Sequence, residues 1–284
     1  MKKIIAIVGT IFLMLCNVSA DFSAMNWGSR GMALGNAYSA LADDPSTIFW
    51  NPAGLSKNRH FSLMLSHQNL YGISDLFNEM GAVSYPLKKV HLGFGWTQMN
   101  LWDEYAENIF YLSTSSVVWY KKIPIRFGTN FKYYQARVAN FAVENEPDAF
   151  DFDLGIHTNI TNKLALAAVY RNIFSPEFEF INTAEEIEAE YVFGVHYNWK
   201  NLANFTTDWV TSNDKNEWCF GSELWFYNVF ATRIGLKGEK LTAGFGIKAK
   251  KWSIDGAVLA HNELGSTYRL SLSLNLGKII GKIR

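Results

Sequence analysis

Two pairs of carboxylates have a spacing that could support acid–base chemistry. Asp151 and Asp153 are separated by one residue, and Glu188 and Glu190 repeat this spacing. In an extended strand such a spacing places both side chains on one face. His157 shares the face of Asp151 and Asp153, but no nucleophile is placed beside it. Solvation, or pairing with arginine, is therefore the simpler interpretation of these carboxylates.

Catalytic and metal-binding patterns are otherwise missing from the sequence. The six histidines never form a His-Glu-x-x-His pattern, and no Gly-x-Ser-x-Gly elbow occurs. Cys219 lies between two aromatic residues in an apparent strand and is interpreted as an inert thiol. Gly93 and Gly95 resemble part of a glycine-rich loop, but within a strand pattern they are interpreted as kinks. We expect no enzyme activity, no catalytic residue, no metal and no cofactor.

The composition excludes several classes of protein. The 284 residues include 26 Lys and Arg against 26 Asp and Glu, so the formal net charge is zero. A nucleic-acid-binding protein would carry a basic excess, so no nucleic-acid partner is expected. A hydrophobic content of 49% excludes a disordered chain. The sequence has no run of about 18 or more apolar residues that could span a bilayer as a helix.

The first twenty residues have the pattern of a cleavable signal peptide. Lys2 and Lys3 precede the apolar stretch 4–16, and the small residues 18–20 form a cleavage site. A membrane anchor is the alternative, but the apolar stretch is short for one. Cleavage as a lipoprotein at Cys16 is disfavoured by the bulky Leu15. The exported chain would retain one cysteine, Cys219, and so form no internal disulfide.

The rest of the chain alternates with a period of two. Between residues 267 and 276, tyrosine and leucine alternate with polar residues. Such a strand has one apolar face and one polar face. Short connections also alternate with longer ones, as in a transmembrane barrel with an even number of strands. We therefore predict an all-β fold, a fourteen-stranded antiparallel transmembrane β-barrel. The strands are predicted near residues 59–69, 78–87, 90–100, 108–121, 123–137, 149–160, 164–174, 187–199, 202–212, 216–226, 229–237, 241–249, 252–261 and 266–277.

The two kinds of connection differ in composition. Aromatic residues and lysines crowd the short connections, whereas the longer ones carry carboxylates. Aromatic rings with a polar tip favour the headgroup level of a membrane. Turn solubility is the alternative explanation of the lysines.

The polar faces of the predicted strands would line the barrel lumen. Their charged residues carry neither sign in excess, so ion selectivity is not indicated, and pairing within the lumen is the expected role. The candidate lumen charges are Arg126, Asp151, Asp153, Glu188, Glu190, Asp208, Glu223, Arg233, Asp255 and Arg269, together with Lys132, Arg171, Glu217 and Lys248.

Residues 21–58 do not alternate and form a turn-rich segment with short helices. A Gly- and Ala-rich opening is followed by an acidic pair and an aromatic-Asn-Pro-Ala-Gly-Leu ending. This ordered combination resembles the N-terminal signature of FadL-like outer-membrane proteins, and more closely that of their PorV/PorQ branch. The residues that carry the resemblance are Gly28, Arg30, Gly31, Gly35, Asn36, Asp43, Asp44, Asn51, Pro52 and Gly54.

The resemblance implies a domain organisation and a location. Residues 1–20 would be the signal peptide, residues 21–58 a hatch in the lumen, and residues 59–284 the barrel. The protein would lie in the bacterial outer membrane in contact with its lipid. In the FadL-like branch it would bind or pass hydrophobic small molecules. In the PorV/PorQ branch it would serve type IX secretion, with secretion-system or cargo proteins as partners.

Several alternatives stay open at this point. For a secretion role, Phe174, Phe178 and Phe180 beside Pro176 are candidate contacts with a protein partner. Anchoring of the same rings at the membrane interface is the alternative explanation. The chain could instead be a purely structural outer-membrane barrel, or a soluble exported β-protein.

Overall fold

A computed structural model of the chain describes residues 27–102, 105–138, 147–180, 183–213, 215–261 and 264–277. The predicted signal peptide, 1–20, lies outside the described residues, as do most of the predicted loop 136–148 and the side chain of Phe180. No α-helix in the described ranges is long and apolar enough to cross a membrane.

β-strands form most of the described chain. Their bounds are β1 (Ser62–Asn69), β2 (Leu76–Pro86), β3 (Val90–Leu101), β4 (Tyr105–Tyr120), β5 (Ile123–Val138), β6 (Asp148–Asn159), β7 (Leu164–Arg171), β8 (Glu177–Phe180), β9 (Thr183–Glu186), β10 (Glu190–Trp199), β11 (Ala203–Thr211), β12 (Asn216–Phe226), β13 (Phe230–Lys237), β14 (Lys240–Lys248), β15 (Trp252–Leu259) and β16 (Thr267–Asn275).

Fourteen of these strands close into one antiparallel barrel. Each barrel strand pairs with the barrel strands before and after it in the chain, so β7 pairs with β10. Because β1 pairs with both β2 and β16, the barrel has no free edge. The remaining two strands, β8 and β9, form a separate hairpin between β7 and β10. The predicted fourteen-stranded antiparallel barrel is confirmed.

The alternation of the sequence becomes an inner and an outer face. In β6, Asp151 and Asp153 are buried inside the barrel, whereas Phe152 and Leu154 are exposed on its outside. The same alternation of outward and inward side chains runs along the other strands. The outer face is apolar, and the lumen is mostly polar, with an apolar part that includes Met80, Ile109 and Tyr134.

Tight turns close one end of the barrel, which we call the short-turn end. Its connections are residues 87–89, 121–122, 160–163, 200–202, 227–229 and 249–251. Two of them have positive φ at both central residues: Lys200 and Asn201 (52° and 57°), and Tyr227 and Asn228 (53° and 55°). These are type I′ turns, whose twist matches that of the flanking strands. The other end, with the longer connections, is the long-loop end.

One sequence prediction near β10 is wrong. The predicted strand 187–199 placed Ile187 on the outer face, but the strand begins at Glu190 and Ile187 is buried within an apolar cluster inside the barrel. The predicted loop 174–186 contains the β8–β9 hairpin. Alternation continued by chance beyond the true start of β10, and periodicity alone cannot detect such an overrun.

Residues 27–58, which we call the N-terminal segment, lie inside the barrel. They form helix α1 (Ser29–Ala33), helix α2 (Thr47–Trp50) and a 3-10 helix (Pro52–Lys57). Asn51 starts the last helix, because its Oδ1 accepts the N–H of Ala53 at 3.0 Å and proline follows it at the first helical position. The predicted short helices are therefore present.

Candidate functional site: the lumen and the N-terminal segment

The N-terminal segment packs closely against glycine residues of the barrel wall. At eight glycines on seven strands, an added Cβ would come within 3.0 Å of an atom of the segment. Real Cβ atoms do not approach so closely, so a larger residue would push the segment away from the wall. These glycines are Gly93, Gly95, Gly128, Gly155, Gly194, Gly221, Gly235 and Gly244.

The interpretation of Gly93 and Gly95 as kinks is wrong. Strand β3 pairs continuously with β2 and β4 on both sides of these residues. Added Cβ atoms there would meet Ile48 and Phe49 of the N-terminal segment. The two glycines therefore make room for helix α2.

The local structure also explains why the signature positions of the N-terminal segment are glycine. Gly31 packs under the ring of Trp50, and Gly54 packs against Thr47, so each position lacks room for a Cβ. Gly35 has a φ of +64° and abuts the backbone of Leu236 on β13. Gly28 has a φ of +77°, in the region that favours glycine. Asn36 has a φ of +66°, which asparagine tolerates better than most residues.

An ionic cluster joins the segment to the wall. Arg30 donates two hydrogen bonds to Glu223 on β12, at 2.8 and 2.9 Å, and one to Asp43 at 2.5 Å. Arg233 on β13 donates to the same Glu223 at 2.8 Å and to Asp255 on β15 at 2.7 Å. The Glu223 side chain is fully buried. We call Arg30, Asp43, Glu223, Arg233 and Asp255 the Arg30 cluster.

A second anchor is the buried carboxylate of Asp208 on β11. Its Oδ2 accepts the backbone N–H groups of Tyr38 and Ser39, at 3.0 and 2.9 Å. Asp44 contacts only the segment itself in these bonds: it accepts a hydrogen bond from the Tyr38 hydroxyl at 2.7 Å and one from the N–H of Ser46 at 2.9 Å. The two acidic residues of the signature thus differ in role, because Asp43 meets Arg30 and Asp44 orders the turn.

Strand β6, four strands from β12 around the barrel, also holds the segment. The Nδ2 of Asn51 donates to the carbonyl of Ile156 at 3.2 Å, and the Nε2 of His157 lies 2.8 Å from the carbonyl of Ala40. The other ring nitrogen of His157 lies 3.3 Å from Arg126, which also donates to Asn159. Donation from Arg126 fixes His157 as the neutral tautomer that donates from Nε2.

Other wall side chains bind carbonyl groups of the segment. Asn130 donates to the carbonyl of Ile48 at 2.9 Å, and Ser115 to that of Ala53 at 3.1 Å. Arg171 donates to the carbonyl of Trp50 at 2.8 Å and pairs with Glu190. Neither Asn130 nor Ser115 was a candidate in the sequence analysis, although the alternation places Ser115 on the inward face of β4 and Asn130 on that of β5.

Five more of the candidate lumen charges are placed as follows. Asp151 and Asp153 both meet Lys132, whose Nζ lies 3.6 and 2.6 Å from their oxygens. Arg269 bonds the neutral amides of Gln68 and Asn78 rather than a carboxylate. Glu188 precedes β10 and lines the cavity described next.

A cavity of about 940 Å³ lies between the N-terminal segment and the long-loop end. Its apolar side includes Trp27, Phe49, Tyr111, Tyr134 and Ile187. Its polar side includes Lys132, Asp153, Arg171, Glu188 and Glu190. The apolar side was missed in the sequence, although Tyr134 alternates in phase with the inward-facing Lys132.

Phe178 is not available to a protein partner, so that sequence prediction is wrong. It is 1% exposed, and its ring contacts Tyr134 at a centroid distance of 5.9 Å within the apolar cluster beside the cavity. Phe174 is 65% exposed on the outside.

Titratable groups of the segment are shifted by burial and by their neighbours. Burial lowers the pKa of Lys57 to about 8, although Asp43 counteracts it. The Lys57 ammonium donates to the carbonyl of Leu41 at 2.5 Å. Burial opposes ionisation of Asp43, but Arg30 and Lys57 outweigh it and hold the pKa of Asp43 below its usual value.

No protein-family model matches the chain, and no curated protein matches it in sequence. Its fold is shared with solved hydrocarbon-transporter barrels. The toluene transporter TbuX of Ralstonia pickettii has a TM-score of 0.65 and 13% identity, over 89% of this chain and 99% of that one. The P. putida toluene transporter TodX has a TM-score of 0.64 and 11% identity, over 89% and 99%. The CymD monoaromatic hydrocarbon channel has a TM-score of 0.61 and 10% identity, over 88% and 96%.

The chain has the fold of FadL-like barrels. At 10–13% identity the likeness extends to the fold alone. A structure of a Pseudomonas aeruginosa FadL homologue is similar to the same degree, with a TM-score of 0.63.

Proposed function

We propose that this protein is a non-enzymatic outer-membrane barrel that passes small hydrophobic molecules and is closed by its N-terminal segment. The observation that carries the proposal is an inverted barrel, with an apolar outer face and a mostly polar lumen. A closed barrel satisfies every strand edge internally, as hydrocarbon requires. A soluble exported β-protein would instead expose its polar face, so the inversion disfavours that alternative.

The height of the apolar face supports a location in the membrane. On β12, the outward-facing Trp218 and Phe226 are eight residues apart, both exposed. This spacing is about 26 Å along the strand, or about 20 Å along the barrel axis at a tilt of about 40°. It is close to the apolar band of about 25 Å in outer-membrane barrels.

The proposed hatch comprises residues 21–58, and the proposed barrel residues 59–284. Contacts with strands on opposite sides of the lumen, β3 and β12 among them, support a plug rather than a loop resting on one side. The proposed signal peptide, residues 1–20, would direct export. A purely structural barrel would need no such tightly fitted plug.

The proposed solutes are small and largely hydrophobic. The cavity of about 940 Å³ is near the upper end of the usual range for ligand pockets. Its aromatic side suits an apolar body, and its charged side would orient a polar group. Proteins with the same fold include toluene transporters, which agrees with this class of solute.

Blocking the cavity tests the proposal. Val210 lines the cavity on β11, and the neighbouring Thr211 faces outwards. In cells whose outer membrane retards hydrophobic solutes, we expect Val210→Trp to slow uptake of labelled toluene at least about tenfold, while the matched Thr211→Trp control transports normally. Equal uptake by cells that carry wild type, either variant or no barrel would refute solute passage.

A secretion role is the second candidate. It is supported by the resemblance of residues 28–55 to the PorV/PorQ branch and by the exposed ring of Phe174 at the long-loop end. Phe174→Ser should then reduce recovery of type IX secretion or cargo proteins with the barrel. The control Phe226→Ser removes an exposed ring at the short-turn end. Equal recovery with all three proteins would remove this candidate.

A further inference from the structure

The short-turn end carries a ring of positive charge. Five of its six connections contain lysine, and none of the six contains aspartate or glutamate. All of these lysines are exposed, and Arg59 adds a further exposed cation where β16 meets β1. The lysines, which we call the lysine ring, are Lys88, Lys89, Lys121, Lys122, Lys163, Lys200, Lys250 and Lys251.

The lysine ring lies next to exposed aromatic side chains. The Nζ of Lys121 is 5.5 Å from the ring centroid of Tyr120, and that of Lys200 is 5.3 Å from Trp199. Tyr120 is 61% exposed and Trp199 is 45% exposed. In a bilayer, such rings lie at the headgroup level, so the adjacent ammonium groups would lie at the depth of the lipid phosphates.

The long-loop end has the opposite character. Its connections contain most of the loop carboxylates of the sequence, among them Asp75, Asp103, Glu104 and Glu239. The zero net charge of the chain therefore conceals a separation of charge along the barrel axis. If the charged residues only kept the turns soluble, positive and negative side chains would serve equally well. Solubility therefore does not explain why the short-turn connections contain no carboxylates.

We propose that the lysine ring binds the headgroups of anionic phospholipids in the leaflet that surrounds the short-turn end. The inference rests on the proposed location in a membrane. The lysines follow consecutive turns around the barrel, from β2–β3 through β10–β11, and recur at β14–β15. A surrounding annulus of lipid would meet such a ring at every turn, whereas a protein partner would contact one sector. Basic residues at an anionic surface each add favourable energy, which salt screens.

Tryptophan quenching by brominated lipids tests the proposal. The full chain is reconstituted into phosphatidylcholine vesicles, and brominated phosphatidylglycerol or brominated phosphatidylcholine then replaces part of the lipid. We expect wild type to prefer phosphatidylglycerol at least about threefold at low salt. The preference should disappear near 0.5 M NaCl, where the screening length falls to about 4 Å.

Matched variants separate the ring from total charge. The triple variant Lys89→Gln, Lys122→Gln and Lys251→Gln should lose at least half of the lipid preference. A control triple variant removes the same charge from the long-loop end, through Lys215→Gln, Lys237→Gln and Lys240→Gln, and should keep the preference. Equal loss in the two triple variants would overturn the proposal, since only total charge would then matter.

Two further outcomes would also overturn it. Equal quenching of wild type by both lipids would show that the ring does not select anionic headgroups. If wild type then bound isolated cell-wall polymer through the same lysines, the ring would serve an acidic polymer instead. Heat-modifiable gel mobility of each sample reports membrane insertion separately, so failure of the proposed membrane location is distinguishable from failure of lipid selection.

Discussion

The Arg30 cluster predicts that a single neutral substitution will loosen the N-terminal segment. Glu223→Gln keeps the shape of the side chain but removes its charge. Glu223 accepts two hydrogen bonds from Arg30 and one from Arg233, and it is buried. The variant therefore leaves two guanidinium groups without their shared carboxylate, while Asp43 and Asp255 still hold one each.

The magnitude follows from these contacts. Removing one partner of a buried ion pair costs about 3–5 kcal/mol. Because Asp43 and Asp255 remain, we take the lower end, about 3 kcal/mol. Only the part of this free-energy cost that is relieved when the segment leaves the wall favours release. If the whole of the roughly 3 kcal/mol were relieved, the open fraction would rise roughly 150-fold.

Single-channel recording in planar bilayers measures this open fraction. We expect rare openings in wild type and openings at least about tenfold more frequent in Glu223→Gln. Deletion of residues 27–58 defines the fully open conductance. The control Glu79→Gln removes a carboxylate that pairs with the exposed His67 outside the lumen, and should behave as wild type.

Three results distinguish the explanations. Heat-modifiable mobility shows whether the variant barrel is folded, and Arg30→Lys provides a milder test if it is not. An opening frequency in folded Glu223→Gln equal to that of wild type would refute the cluster as a restraint on the segment. Frequent openings in Glu79→Gln as well would show a general weakening of the barrel instead.

Further predictions concern packing, pH and reactivity. Gly128→Ala should lower the unfolding temperature in gel-mobility assays, since its Cβ would collide with the backbone at Ala53, whereas the roomier Gly81→Ala should not. Because the pKa of Lys57 is about 8 in the folded protein against 10.5 in the unfolded chain, the unfolded state binds more protons between these values. Protection of the segment from protease should thus increase from pH 8 towards pH 10 in wild type but not in Lys57→Met. Cys219 is fully buried, so maleimide should label it only after the barrel is unfolded by boiling.

The period of two was sufficient to predict the barrel and the direction of most side chains. Asp151 and Phe152 are neighbours in sequence and point to opposite faces, as the alternation requires. Partners within the lumen could not be predicted in this way. Arg30 and Glu223 are 193 residues apart, and alternation shows only that Glu223 points inwards, not which residue it meets.

The sequence was least informative for the parts of the chain that do not belong to the strands of the barrel. Between β7 and β10, the inward packing of Phe178 and Ile187 is set by contacts with the lumen rather than by strand geometry. Apolar residues there continue an apparent strand pattern without belonging to a strand. Likewise, the reason for Gly93 and Gly95 lies in helix α2, which the pattern of β3 does not contain.

The polar part of the lumen combines internal charge pairs with binding sites for an irregular backbone. Asp208 accepts backbone N–H groups of the segment, while Asn130, His157 and Arg171 bind its carbonyl groups. An irregular backbone buried without such partners would carry a large energetic penalty. Removal of the segment would leave polar groups unsatisfied on both sides, so opening must be accompanied by entry of water. A partly withdrawn segment, whose polar groups have lost their partners in the wall before water can reach them, is therefore the least favourable arrangement of the proposed plug.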